Sequence, residues 1–385
     1  MSNSLVDPNV SALPDPGIRH PPSLLPSLRN VTFVCPLCHG ELDLLTDKDG
    51  YYCLGCERGF PLHSGIPDFR VAPDPYLSFQ EEYERTEIVL EALDRYELEP
   101  LLQYYWSFSD ITPSPLRVKF VRSAMLGEER AQRILRSFAD GTFQQPIRAQ
   151  RVLELGSGSG NFLALAIGNY DQVIGIDIGM RWLHLSRRRF MDKGLPVPPL
   201  VCCCAEYLPF PDNSFDLVVC ASTLEFVRDQ KRVLAESARM LKNGGSLYLQ
   251  TVNRYSLAKN PYAYLWGVGF LPRPCQARYV RWRRGASYES VRLLSLRELN
   301  RMAGEYFTNV EVALQNIDPA ILRQFSSFMR FQARVYQSAR KLPLLETLLR
   351  RYGPGWEIAL RKQAQIHPAP QLQNESEMMF WSKPV

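Results

Sequence analysis

The spacing of apolar and polar residues changes character along the chain, and its middle part is the most regular. Between residues 151 and 252, short runs of β-branched and other apolar residues alternate with segments whose apolar positions recur at helical spacing. Such alternation predicts strand–helix–strand units and therefore a parallel sheet in an α/β fold. The predicted strands are RVLEL, QVIGID, LVCCC, FDLVVC and SLYLQTV.

The region before this sheet divides into three parts. Residues 1–30 contain six prolines among polar residues, which predicts a disordered tail. Residues 31–70 combine short strand-like runs with cysteine pairs and predict a small β module, followed by a proline-marked linker. Apolar residues at helical spacing over residues 76–148 predict a helical connector or lid.

The region after the strands is less regular. We predict that the α/β domain occupies residues 149–385 and contains a helical insertion near 256–370. Within it the sequence predicts an aromatic and arginine-rich stretch without clear period at 261–291, a helix near 295–303, a strand in TNVEVAL, a long helical region at 319–363, and a last edge strand in EMMFWSK.

Two C-x-x-C pairs lie in the N-terminal module. Cys35 and Cys38 are separated from Cys53 and Cys56 by fourteen residues. Each pair offers two thiolates from one tight turn, which suits tetrahedral Zn²⁺, whereas four buried thiols without metal are the alternative. A site of four thiolates leaves no coordination position for catalysis, so we expect a structural zinc.

This module also resembles a known family. The segments CPLCHGEL and YYCLGCERGFPLHSGIPDF are similar to the zinc-ribbon domain of the activator subunits of tRNA and translation-factor methyltransferases. The resemblance covers about 35 residues and implies a methyltransferase context without naming a substrate. It also leaves the protein partner of the ribbon open.

A glycine-rich loop follows the first predicted strand of the α/β domain. Gly156, Gly158 and Gly160 lie between this strand and an apolar helix, so a ligand can approach bare backbone there. Asp177, at the end of the next strand, can accept two ribose hydroxyls. A dinucleotide site favours a third glycine where this chain has Asn161. The acidic Glu154 suits a cationic ligand, which favours S-adenosylmethionine over NAD.

Several later segments follow in the order seen in one enzyme class. AEYLPFPDNSFDLVVC, STLEFVRD and RVLAESARMLKNGGSLYLQ make residues 150–255 resemble class I S-adenosylmethionine-dependent methyltransferases, in the branch of the ubiquinone and menaquinone C-methyltransferases. The resemblance implies a Rossmann-like seven-stranded sheet. It places Glu154, Gly156, Gly158 and Gly160 at the methionine end of the cofactor, Asp177 at the ribose, and Ala205 with Glu206 at the adenine. Cys204 replaces the aspartate usual in that branch.

Catalytic candidates are expected beyond the carboxyl ends of the strands. Glu225 is the favoured candidate for a base or substrate contact, with a solvated carboxylate at a helix start as its alternative. Thr223 and residues 253–255 are further candidates. Tyr104, Tyr105 and Trp106 form either a lid over an aromatic acceptor or, as we favour, an interhelical core.

Composition narrows the class of protein further. Forty-five basic and 40 acidic residues give a net charge of +5, which does not by itself imply nucleic acid. Nine cysteines, an odd number, favour a reducing compartment. The N-terminus lacks a signal-peptide pattern and no apolar run is long enough for a membrane span, so we expect a cytoplasmic protein.

The arginine- and aromatic-rich stretch at 261–291 leaves several partners open. It suits a phosphate-bearing substrate, a peripheral contact with an anionic membrane, or RNA; alternatively it is a solvated insertion that packs Trp266 and Trp282 inward. We therefore expect a methyltransferase acting on a small or lipid-linked acceptor. The alternatives are an rRNA or tRNA methyltransferase and a non-catalytic zinc-ribbon binding module.

Overall fold

The computed structural model describes residues 26–45, 50–108, 114–315 and 327–362. Most of the predicted tail, residues 1–25, and the predicted last strand EMMFWSK lie outside the described residues. The final part of the predicted tail is not a free chain, because Pro26–Leu28 forms a 3-10 turn and Leu28 is buried in the core.

The N-terminal module is a four-stranded antiparallel sheet. Its strands follow chain order: β1 (Asp43–Leu45), β2 (Gly50–Cys53), β3 (Arg58–His63) and β4 (Ile66–Pro67). Its core is aromatic, because the rings of Phe33, Tyr51 and Phe60 all lie within 5.4 Å of the ring of Phe69, centroid to centroid. The predicted small β module is therefore present.

Four helices follow this module. They are α1 (Phe79–Ala92), α2 (Leu98–Ser107), α3 (Ser114–Met125) and α4 (Gly127–Ser137). Tyr105 is buried among them and its ring lies 6.0 Å from that of Trp182. This residue is therefore part of an interhelical core, which is the alternative that the sequence favoured over a lid.

The central sheet contains seven strands. In chain order they are β5 (Arg151–Leu155), β6 (Gln172–Asp177), β7 (Leu200–Cys202), β8 (Phe215–Ala221), β9 (Leu241–Val252), β10 (Phe307–Leu314) and β11 (Gly355–Lys362). Their spatial order is β10-β11-β9-β8-β5-β6-β7, with β5 to β9 parallel and β11 antiparallel to both neighbours. The predicted α/β fold with a seven-stranded sheet is confirmed.

Helices cover this sheet and extend beyond it. They are α5 (Asn161–Ala166), α6 (Met180–Asp192), α7 (Gln230–Met240), α8 (Arg273–Arg284), α9 (Leu296–Ala303), α10 (Ser327–Ala339) and α11 (Pro343–Tyr352). Helix α8 lies inside the stretch where the sequence showed no period.

The prediction of one helical region at 319–363 is wrong in its last part. Strand β10 forms where the sequence predicted a strand in TNVEVAL, but β11 forms where a helix was predicted. Local sequence did not decide the conformation of β11, because this segment fills the gap between β9 and β10 and pairs with both. Trp356, Ile358 and Leu360 are fully buried there.

The N-terminal module joins the edge of the central sheet. The amide of Phe69 donates a hydrogen bond to the carbonyl of Cys202 on β7 at 2.7 Å, and Asp68 forms a parallel bridge with the same residue. The amide of Val34 donates to the carbonyl of Pro209 at 3.1 Å, and the rings of Phe33 and Phe210 are 5.7 Å apart. Module and sheet therefore share one continuous core.

We expect Phe69→Ala to lower the free energy of unfolding by about 3–5 kcal/mol, because the ring is fully buried where the two cores meet. Urea denaturation measures this loss. Leu44→Ala, at an exposed position of β1, is the matched control and should change stability by less than about 0.5 kcal/mol. Equal effects of the two changes would contradict a shared core.

Candidate active site

The glycine loop lies at the carboxyl end of β5, where the strand order of the sheet reverses. Strand β5 is flanked by β6 on one side and by β8 on the other, so the loops that follow β5 and β8 diverge there. A crevice at such a switch point is the usual ligand site of an open parallel sheet. The amide of Ser157 donates to the carbonyl of Ile176 at 2.8 Å and fixes the loop against β6.

The three loop glycines meet different requirements. All have positive φ, of 70°, 51° and 75° for Gly156, Gly158 and Gly160, a conformation that other residues rarely adopt. A Cβ at Gly156 would lie 2.3 Å from Oγ1 of Thr223, and one at Gly160 would lie 2.2 Å from Oγ of Ser186. A Cβ at Gly158 would meet no atom within 4 Å. The middle glycine therefore presents its backbone to open space.

Arg189 on α6 clamps this loop and was not recognised as a site residue from the sequence. Its Nε donates to the carbonyl of Ser159 at 2.6 Å, while its terminal nitrogens reach Glu128 and the carbonyl of Ala124, both at 2.8 Å. The guanidinium is buried. Arg189 is therefore a buried part of the site and not an exposed surface cation.

Asp177 lies at the end of β6 beside the loop, as predicted. Its carboxylate accepts hydrogen bonds from the amides of Gly158 at 2.8 Å and Gly179 at 2.9 Å. Burial outweighs these contacts and raises the pKa of Asp177 to about 6. The predicted ribose contact thus lies directly beside the glycine loop.

Glu154 is buried on β5 beneath the loop. Its Oε2 has no hydrogen-bond partner, and burial raises its pKa well above the usual value, although the positive charge of Arg130 opposes that rise. A buried carboxylate oxygen without a partner is costly unless a ligand satisfies it. Arg130, an exposed residue of α4, had not been singled out from the sequence.

The predicted adenine side is already engaged in internal contacts. Oε1 of Glu206 accepts hydrogen bonds from the amides of Arg228 at 2.7 Å and Asp229 at 3.3 Å, just before α7. The thiol of Cys204 donates to the carbonyl of Ala72 at 3.4 Å. Glu206 therefore orders the start of α7, and its role toward adenine stays a prediction, as does that of Ala205.

Glu225 is fully buried rather than solvated. Its Oε1 accepts hydrogen bonds from Oγ1 of Thr251 and the amide of Val252, both at 2.9 Å, and from the hydroxyl of Tyr262 at 3.5 Å. Burial raises the pKa of this carboxyl. The geometry makes Glu225 the anchor of the Tyr262 hydroxyl, so its predicted catalytic role stays a prediction.

Aromatic rings extend from this anchor at the carboxyl end of β8. The ring centroid of Phe226 lies 4.9 Å from that of Tyr262 and 6.2 Å from that of Tyr76, and Tyr76 is exposed.

Two of the other catalytic candidates, Asn253 and Arg254, make internal contacts. The side-chain amide of Asn253 donates to carbonyls near the end of α11, and Arg254 pairs with Glu298. Asn253 and Arg254 therefore connect the segment after β9 to its neighbours in the fold.

The four predicted zinc ligands come together as expected. The Sγ atoms of Cys35, Cys38, Cys53 and Cys56 all lie within 4.8 Å of one another. Between the pairs, Sγ of Cys35 is 3.8 Å from that of Cys56, and Sγ of Cys38 is 3.5 Å from that of Cys53. This is a geometry that a tetrahedral cation can bridge.

The arginine- and aromatic-rich stretch does not pack its tryptophans inward. Trp266 and Trp282 are both more than half exposed, so that alternative is wrong for these two side chains.

His184 and the three cysteines at 202–204 are buried, and burial lowers the pKa of His184 to about 3. Among the described residues, no helix combines the length and apolar character that membrane crossing requires.

Part of the chain is similar to known methyltransferases. Residues 153–249 match a family model described as a methyltransferase domain. The ubiquinone/menaquinone biosynthesis C-methyltransferase UbiE of Cupriavidus pinatubonensis is 39% identical over 100 residues, which is 25% of this chain and 41% of the relative. The Burkholderia mallei protein of the same name is 40% identical over 98 residues, again 25% of this chain and 40% of the relative. The chain thus spans about two fifths of the length of these curated relatives.

Solved structures that match part of this chain include phosphoethanolamine N-methyltransferase 2 of Haemonchus contortus in complex with S-adenosyl-L-methionine. It has 19% identity and a TM-score of 0.41, and the match covers 71% of this chain and 60% of that one. The YcgJ protein of Bacillus subtilis has 22% identity and a TM-score of 0.36, over 60% of this chain and 99% of that one. The residues that match the methyltransferase-domain model, 153–249, span the parallel part of the central sheet, from β5 into β9.

Proposed function

We propose that this protein is an S-adenosylmethionine-dependent methyltransferase that acts on a small or lipid-linked acceptor. The observation that carries the proposal is the unpartnered Oε2 of Glu154, buried beneath an open glycine loop. A cationic ligand at the loop would satisfy that oxygen, whereas a pyrophosphate would be repelled by it.

We propose that residues at the switch point hold the methionine and ribose parts of the cofactor. Glu154 would accept hydrogen bonds from the ammonium group of the cofactor's methionine part, and Asp177 would accept them from its ribose hydroxyls. Arg130 on α4 would lie against the carboxylate of the cofactor. The bound cofactor supplies a methyl group already activated by the sulfonium. The chain's own part is to hold an acceptor in line with that methyl group and to exclude water.

The aromatic row of Tyr76, Phe226 and Tyr262 supports an aromatic or apolar acceptor. Stacking and area burial suit such a surface, and Glu225 orients the Tyr262 hydroxyl within it. The UbiE proteins are named for C-methylation in quinone biosynthesis, and a quinone precursor has this character. We therefore propose Tyr262 as a contact of the acceptor and Glu225 as its positioning residue.

We further propose that the four-cysteine cluster binds structural Zn²⁺. All nine cysteines lie in the described residues, and none forms a disulfide. Nine cysteines without a disulfide fit the reducing cytoplasm, which we propose as the location of the protein. On this proposal the domains keep the predicted division into ribbon, connector and methyltransferase domain.

We expect the affinity for S-adenosylmethionine to fall as pH decreases from about 8 to about 5. The pKa of Asp177 is about 6, so below that pH the carboxyl is protonated and accepts hydrogen bonds from the ribose hydroxyls less well. Titration calorimetry at several pH values measures this. In Asp177→Asn, affinity at pH 8 should be about tenfold weaker, and the part of the pH dependence that Asp177 contributes should be lost, leaving that of Glu154 and of the cofactor itself. Identical pH profiles for both proteins would contradict the assignment.

We expect metal analysis to find about one zinc ion per chain, and chelation to unfold the ribbon. Cys53→Ser should lose the metal and lower the thermal midpoint, because the ribbon core is continuous with the sheet. Cys275→Ser is the control, since this exposed cysteine lies outside the cluster. A Cys53→Ser protein that lacks metal and melts like the wild type would disprove a structural zinc.

The function itself is tested by incubating purified protein with S-adenosylmethionine labelled in the methyl group and a host-cell extract. We expect label in the organic-soluble fraction, and its loss in Tyr262→Phe if the hydroxyl contacts the acceptor. Label in RNA would instead establish an RNA methyltransferase. Failure of the protein to bind the cofactor at all would support a non-catalytic binding module.

A further inference from the structure

A pair of helices lies in the chain between β10 and β11. The two strands are paired up to Leu314 and Trp356, and α10 and α11 lie in the chain between these residues. Antiparallel neighbours of this kind need only a short turn, so α10 and α11 are not required to close the sheet. We call the surface of these two helices the α10–α11 face.

This face exposes large apolar side chains. Leu344 is 89% exposed and Phe331 is 64% exposed, and none of the residues of α11 is buried. Leu345 and Leu348 lie on the same side of α11 by helical spacing, and Phe331 and Val335 are one turn apart on α10. Soluble proteins rarely expose so many large apolar side chains on two consecutive helices without a binding role.

The charge around these side chains is strongly positive. Residues 327–352 contain six arginines and lysines and a single acidic residue, Glu346. Glu346 is itself engaged, because its Oε1 accepts hydrogen bonds from Arg350 at 2.8 and 3.1 Å. Exposed apolar residues bordered by cations are the pattern of a helix that lies in the interface of an anionic bilayer.

The face also lies next to the active-site side of the sheet. The side chain of Asn253, directly after β9, donates to the carbonyl of Arg351 at 2.9 Å, and the amide of Leu257 donates to the carbonyl of Tyr352 at 3.0 Å. Leu257 is also exposed. The carboxyl end of α11 is thus fixed to the segment that leaves the carboxyl edge of β9.

We infer that the α10–α11 face docks on the surface of an anionic lipid bilayer. The apolar side chains enter the interface, while the surrounding cations meet anionic headgroups. A second copy of the chain fits this face less well, because a two-fold contact would bring the same cations against each other. The inference rests on the proposed function, since it supplies a lipid-linked acceptor to the site.

Flotation of the full-length protein with vesicles tests this inference without substrate. We expect binding to phosphatidylcholine vesicles that contain phosphatidylglycerol and little binding to phosphatidylcholine alone. The combined Leu344→Ser, Leu345→Ser and Leu348→Ser changes should lower the vesicle partition coefficient by at least about tenfold. Arg334→Gln with Lys341→Gln should also lower it by about tenfold, on anionic vesicles only.

Leu44→Ser, which changes an exposed leucine of the ribbon, is the matched control and should bind vesicles like the wild type. Absence of wild-type binding to anionic vesicles, or unchanged binding of the triple variant, would overturn the inference. A second result would also overturn the inference. It is a wild-type protein that sediments as a dimer and does not bind vesicles, and that becomes monomeric only in the triple variant. Calorimetry with S-adenosylmethionine is run in parallel, so a protein that floats but binds no cofactor refutes the proposed function and leaves the docking surface standing.

Discussion

The buried guanidinium of Arg181 is the constraint on which the arrangement of the modules depends. It lies on α6 and forms ion pairs with Asp74, in the linker after the ribbon, and with Glu82 on α1. All three side chains are buried. A buried charge is tolerated only when it is paired, so linker, connector and α/β domain must meet at this point. Removing Arg181 would leave two buried carboxylates, those of Asp74 and Glu82, without their cation.

This arrangement brings the end of the N-terminal module to the edge of the candidate site. Arg70, the last residue of that module, pairs with Asp68 and donates from a terminal nitrogen to the carbonyl of Ile178 at 3.4 Å, one residue beyond Asp177. The N-terminal four-cysteine module therefore supports the wall of the candidate site at β6 and β7.

The site itself combines an open backbone with buried, incompletely paired carboxylates. Gly158 leaves room at the loop, Glu154 retains an unpartnered oxygen beneath it, and Arg189 holds the loop in place from behind. Methyl transfer from a sulfonium needs orientation and a dry surface more than it needs acid or base catalysis. On the proposed function, the glycine loop and the aromatic row at the carboxyl end of β8 would meet that need, and the α10–α11 face would bring an apolar acceptor to them.

Sequence alone was sufficient where chemistry depends on local order. The cysteine spacing, the glycine loop, Glu154, Asp177 and the parallel strands are all encoded by neighbours in the chain, so their grouping could be predicted. Only the tertiary structure decided the rest. Strand β11 forms because two strands leave a place for it. Glu225 became a buried anchor because β9 and Tyr262 close over it. Arg189 proved to be a clamp because α4 and the loop surround it. Each of these outcomes depends on residues that are distant in sequence, and no local pattern specifies which of them will meet.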